Sequence, residues 1–178
     1  ASGRRGIPQY YDEQHDDGRC HDERHDVQNG HADGRQNHGH DENADALGGI
    51  SGHAGLFSTA SDLAIFMQMI MNGGSYGGKQ YLKPETINLF TTRQRNTGTR
   101  ALGWDTKTVN GYSSAGALFS EKSFGHTGFT GTSVWADPER KIFLILLTNR
   151  VYPTRNNNKI QRIRPAVADA VVRALKAQ

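Results

Sequence analysis

Cysteine is nearly absent from this 178-residue chain, and a single Cys20 excludes an internal disulfide framework. No apolar run is long enough to cross a bilayer as a helix, so no membrane span is expected. Charge of one sign does not dominate either. There are 21 Lys and Arg against 18 Asp and Glu, and a net charge of +3 spread along the chain gives no nucleic-acid footprint. Arg155, Arg162 and Arg164 lie close together near the end, and that cluster reads as a solvated face, with no nucleic acid as partner.

The most severe absence is local. Residues 1 to 45 contain no Leu, Phe, Met, Trp, Lys or Thr, yet they carry six of the eight His and the only Cys. Such a composition cannot build a core. Two readings stay open: a disordered head, or translation of a shifted frame, since Arg is common there while Leu and Lys are missing. A metal-binding tail is the third, through Cys20, His21, His25, His31, His38 and His40, but these lack the compact pairs of a zinc site. No metal or other cofactor is assigned. The chain therefore divides into a polar head, 1–45, and one domain, 46–178, of roughly 130 residues, enough to bury a moderate core.

What is present is concentrated in Ser123-Phe124-Gly125-His126-Thr127-Gly128-Phe129-Thr130-Gly131-Thr132-Ser133. One imidazole and several hydroxyls stand among glycines at the start of a β-hairpin. The hairpin itself is legible. Thr132 to Ala136 is β-branched and aromatic, Asp137-Pro138-Glu139-Arg140 is turn chemistry, and Ile142 to Leu147 is an unbroken apolar run suited to a central, two-sided strand.

His126-Thr127-Gly128, followed by Thr130-Gly131-Thr132-Ser133, resembles the Lys-Thr-Gly motif of the serine β-lactamase and penicillin-binding-protein superfamily. Further landmarks run in the order of the C-terminal part of class C-type members. They are Gly48 to Leu63, Pro84-Glu85-Thr86, Leu102-Gly103-Trp104, and Asp137-Pro138-Glu139 followed by Ile142 to Asn149. The resemblance covers about residues 41 to 174. It implies an α/β (α+β) fold in which helices flank a five-stranded antiparallel sheet, β-lactamase/transpeptidase-like, with its N-terminal part missing here.

The same resemblance implies a serine hydrolase that acts through an acyl-enzyme on an ester, amide or β-lactam, with a small-molecule or peptidoglycan-like substrate. His126, Thr127 and Gly128 would line the catalytic site, and the backbone of Phe129 and Thr130 would bind the substrate and its oxyanion. Preorganised N–H donors of that kind are worth roughly 3 kcal/mol each. His126 stands where the family more often has Lys, so its charge at neutral pH is conditional. The family location, periplasmic or cell-surface, is implied by the resemblance alone.

Two family parts are missing from the sequence. No Ser or Thr is followed three residues later by Lys, so there is no nucleophile and base one helical turn apart. No Tyr is followed two residues later by Asn; Tyr112-Ser113-Ser114 is the nearest and reads as a polar loop. The isolated chain is therefore expected to be inactive, and a non-catalytic remnant or binding module for peptidoglycan-like or carboxylate ligands is the alternative.

The remainder reads as scaffold. Thr59-Ala60-Ser61-Asp62 is a capping box before a stripe of Leu63, Phe66, Met67 and Ile70 that ends at Gly73-Gly74. Met67, Met69 and Met71 read as packing, as do Trp104 and Trp135, and His53 as a structural hydrogen-bonding residue. Pro84 opens a second helix through Phe90, and Arg93 to Arg100 is a surface loop. Pro165 opens the last helix, with Val167, Val171 and Leu175 on its buried face and Ala170 and Ala174 beside them. A sheet without its first strands would keep an unpaired edge, and self-association through it is expected.

Overall fold

The computed structural model describes Gly52, Ala54 and residues 56–176. The polar head and His53 lie outside the described residues, and with them the expectations of disorder, a shifted frame, a metal-binding tail and a structural role for His53.

The capping box does what its residue types allow. The Thr59 hydroxyl accepts the Asp62 amide at 3.2 Å and donates to the Asp62 carboxylate at 2.8 Å, opening α1, Ala60–Met71. Gly73 and Gly74, both at positive φ, end that helix and lead into a small hairpin of β1, Ser75–Tyr76, and β2, Lys79–Gln80. Helix α2, Pro84–Thr91, begins at its proline, as expected of a residue with no N–H to leave unpaired.

Four antiparallel strands follow in the spatial order of the chain: β3, Asp105–Thr106; β4, Phe124–Thr127; β5, Ser133–Asp137; and β6, Ile142–Leu146. The register sets Gly125 against Trp135, His126 against Val134, and Trp135 against Leu144. Side chains alternate across each strand, so this register sorts them into two faces. Phe124 and Ala136, with Val134 and Phe143 beside them, pack with Met67 and Ile70 of α1. Trp135, with Ile142 and Leu144, packs on the other face with Ala115, Phe119, Ala168 and Val172. The result is an antiparallel sheet between helical layers, α+β in class.

Both tryptophans are packing residues. Trp135 is buried with its indole N–H on the Ser114 hydroxyl at 3.1 Å, and Trp104 lies edge-on to Phe124 and stacked on Phe66. Met67 is fully buried and Met69 and Met71 flank it.

Among the described residues strand β6 pairs with β5, and each of its five residues is partly exposed. Residues of helical segments pack on both of its faces, in keeping with its unbroken apolar run. One expectation is corrected: the last helix, α3, spans Ile160–Lys176 and begins five residues before Pro165, which sits inside it. Its buried ridge is Ile160, Arg164, Ala168 and Val172, one position off the expected stripe, while Ala170, Ala174 and Leu175 are exposed. Four strands of the sheet lie among the described residues.

Candidate active site

The five residues singled out in the sequence fall together at one end of β4 and in the connection after it. Gly128 donates its amide to Thr132 O at 2.8 Å, and Gly131 donates to Gly128 O at 3.1 Å. Phe129, Thr130 and Gly131 thus form a three-residue hairpin loop, with Gly131 at φ +110° supplying the left-handed residue such a loop needs. The glycine is required for a second reason: a Cβ there would stand 2.5 Å from Thr148 Oγ1.

Gly128 has a reason of its own inside the fold. A Cβ on it would strike the hydroxyl of Thr132 directly across the hairpin, so close cross-strand approach accounts for the glycine without a substrate.

Strand β3 covers only the first half of β4. Asp105 pairs Gly125 and Thr106 pairs Phe124, and beyond Gly125 that edge of β4 has no strand beside it among the described residues. An antiparallel ladder alternates the direction of its backbone groups. Since Gly128 bonds toward β5, Thr127 turns its backbone groups to the open side. The Phe129 amide finds no acceptor among the described residues.

The side chains flank this edge from both faces. His126 follows Phe124 by two residues, so it lies on the α1 face; it is exposed, and its imidazole has no hydrogen-bond partner among the described residues. Thr127 lies on the opposite face and is half-buried. The sequence brought His126 and Thr127 together as neighbours; the pleat separates them to the two sides of one strand.

The structure adds charged residues to this site, Arg164 and Arg155 from the cluster expected to be a solvated face, and Arg150. Arg164 is 9% exposed and donates to Gly128 O and Thr132 O, at 2.8 Å each, so it is no part of a solvated face. Burial lowers its pKa, the nearby Tyr112 raises it, and the charge of Arg150 lowers it again. Arg150 donates through Nε to Phe129 O at 2.7 Å and stacks on the Phe129 ring, 4.6 Å from its centroid. Arg155 stands over the same ring at 5.9 Å. The spacing of Arg164 four residues after Ile160 and four before Ala168 was the available signal, had the helix been started early enough.

Chemically, the site offers an unpartnered amide, an open strand edge and three guanidinium groups around one loop. That arrangement suits a polar group carrying or developing negative charge. Among the described residues no group of three His, Cys, Asp or Glu is placed to hold a metal ion.

Comparison with known proteins places the chain in a family. The family model described as Beta-lactamase matches residues 8–168, a range that takes in most of the polar head set apart above. A protein of Escherichia coli K12 named "Putative D-alanyl-D-alanine carboxypeptidase" is 40% identical over 132 residues, covering 68% of this chain and 30% of that protein. Its namesake in Salmonella gallinarum is 42% identical over 126 residues, covering 68% and 28%. The chain thus spans less than a third of the length of these curated relatives. Among solved structures, a β-lactamase from Mycobacterium bovis superposes with a TM-score of 0.55 at 24% identity, over 66% of this chain and 44% of that one, which shows a shared fold. With its His-Thr-Gly strand, its helix-flanked antiparallel sheet and a family match along most of its length, the chain belongs to the β-lactamase family, of the serine β-lactamase and penicillin-binding-protein kind.

Proposed function

We propose that this chain carries the oxyanion-donor strand of a serine hydrolase that transfers an acyl group from an ester, amide or β-lactam to water. The observation that carries the reading is the Phe129 amide, unpartnered among the described residues and next to His126-Thr127-Gly128 on an open strand edge. When a hydroxyl attacks a carbonyl carbon, the carbonyl oxygen gains negative charge, and an N–H already aimed at it lowers the barrier. Arg150 and Arg164 add positive potential at the same loop. His126 and Thr127, on the two faces of the strand, would contact the substrate from either side, and Thr130 would border it from the loop.

The names of the relatives favour a peptide ending in D-alanyl-D-alanine as the substrate, which is peptidoglycan-like. No Ser-x-x-Lys occurs in these 178 residues. That observation favours a second reading for the molecule as it stands, a non-catalytic remnant or binding module that recognises such ligands without turning them over.

Two measurements on the purified chain separate these readings. Incubation with a fluorescent penicillin, followed by intact mass, is expected to leave the mass unchanged; a covalent adduct would overturn the absence of an activated nucleophile. Titration with N-acetyl-D-alanyl-D-alanine is expected to shift the amide signals of Gly128, Phe129 and Thr130. Saturating peptide with no shift there would sink the assignment of the loop as the binding edge.

A further inference from the structure

Two arginines from separate segments hold the loop Phe129–Gly131 by its carbonyls. Arg164, within α3, sends one terminal nitrogen to Gly128 O and Thr132 O, the two residues that close the base of the loop. Arg150, in the segment after β6, meets the tip. Its Nε donates to Phe129 O at 2.7 Å, its own amide donates to Thr130 O at 2.7 Å, and its guanidinium carbon stands over the Phe129 ring, 4.6 Å from the centroid. Arg150 is itself held, since its NH1 donates to Arg155 O at 3.2 Å and Asn157 O at 3.0 Å. The carbonyls of Gly128, Phe129, Thr130 and Thr132 are all taken by arginine donors, side chain or main chain. The amides of Phe129 and Thr130 find no acceptor among the described residues.

This arrangement is expensive for a fold. The Arg164 guanidinium is removed from water while its Nε has no partner among the described residues, and a second guanidinium, that of Arg150, acts on it unfavourably. An apolar side chain at this position of a buried ridge would pack against Ala168 and Val172 without that cost. The expense is explained if the backbone it fixes must stay in one orientation.

We propose that Arg164 and Arg150 are positioning residues, a two-sided clamp that fixes the peptide carrying the Phe129 N–H. A short loop can tilt its central peptide with little else changing, and an oxyanion donor must lie within about 2.7–3.1 Å of the oxygen it serves. A misplacement of about 1 Å can cost on the order of a hundredfold in rate. The use of the clamp rests on the reading of Phe129 as that donor, whereas the clamp itself can be tested without it.

The test is 15N relaxation on the labelled 178-residue chain and on Arg164→Met, Arg164→Lys and Arg150→Lys. The Trp135 indole N–H, bonded to Ser114 inside the core, reports on the fold. In the unmodified chain the Phe129 and Thr130 amides should have order parameters of about 0.85, and in Arg164→Met and Arg150→Lys they should fall below about 0.6 while the indole signal stays in place. Arg164→Lys keeps the charge but not the fork, and should restore part of the order. Unchanged order at Phe129 in Arg164→Met overturns the proposal, and so does a loss spread equally over β5 and α3, which is what a merely structural residue gives. Should Arg164→Met fail to fold, Arg150→Lys decides by the same two criteria. Titration with N-acetyl-D-alanyl-D-alanine keeps the outcomes apart: a rigid loop that ignores the peptide refutes the donor reading and leaves the clamp standing.

Discussion

Asp137 and Ser120 are joined twice, the carboxylate accepting the Ser120 amide and the Ser120 hydroxyl at 2.7 Å each. The same carboxylate accepts the amides of Glu139 and Arg140 at 3.1 and 3.2 Å and the Arg140 guanidinium at 2.8 Å. One buried side chain thereby ties the β5–β6 turn to the segment that leads into β4. Burial pushes this carboxyl up, but the hydroxyl and amide of Ser120 and the amide and guanidinium of Arg140 outweigh it and hold the pKa below the ordinary 3.8. A depressed folded-state pKa contributes stability that is present above the unfolded value and lost as pH falls through the folded one. Thermal melts from neutral pH downward should therefore show the unmodified chain losing stability below about pH 4, with a shallower acid limb in Asp137→Asn. Asp137→Ala should cost about 3 kcal/mol at neutral pH, because it strands the buried donors of Ser120. Identical acid limbs in the two proteins would show that Asp137 does not govern that transition.

The displaced ridge of α3 makes a sharp contrast between two residues three apart. Val172 is 1% exposed against Trp135 and Phe119, whereas Leu175 is 49% exposed. Val172→Ala should cost about 2 kcal/mol, from lost transfer energy and the space left behind. Leu175→Ala should stay within about 0.5 kcal/mol. Denaturant midpoints of both variants check this, and the reverse order would return the helix to the Val167, Val171, Leu175 face.

The sequence made the hairpin and its histidine readable because turn residues and period-two alternation are local signals. Thr59, Gly73-Gly74 and Pro84 likewise marked helix ends by what each residue does to its own backbone. Pro165 misled for the same local reason. Proline favours a helix start, but Ile160 is buried with the ridge and extends the helix beyond what Pro165 alone suggests. Arg164 was invisible because its partners, Gly128 and Thr132, lie 36 and 32 residues away, and charge in a sequence reads as surface unless its acceptors are known.

Gly131 and Gly77 both have positive φ, +110° and +58°, yet their surroundings differ. A Cβ at Gly77 meets nothing within 4 Å, so Gly77→Ala should cost only the left-handed penalty of about 1 kcal/mol. At Gly131 a Cβ would meet Thr148 Oγ1 at 2.5 Å and Arg150 at 3.3 Å, so Gly131→Ala should cost about 3 kcal/mol and move the Phe129 amide signal. Equal melting temperatures for the two variants would mean that the loop yields to a methyl group, and the Phe129 donor would then not be rigidly held.

Strand β6 leaves one edge without a strand among the described residues, and that edge carries Ile142, Phe143, Leu144, Ile145 and Leu146 with no Lys or Pro to discourage pairing. A two-fold axis through Leu144 would set two copies antiparallel and extend the four-stranded sheet of each into one. Backbone groups at such an edge are templates for a further strand. The purified chain is therefore expected to associate with itself across the micromolar range in sedimentation velocity. Leu147, 45% exposed just past the strand, is the cheapest place to add a guarding charge. Leu147→Lys should weaken the association by about tenfold while leaving the melting curve of the dilute protein nearly unchanged. A chain that stays monomeric at all concentrations, or a Lys variant that associates as strongly as the parent, would exclude β6 as the pairing edge.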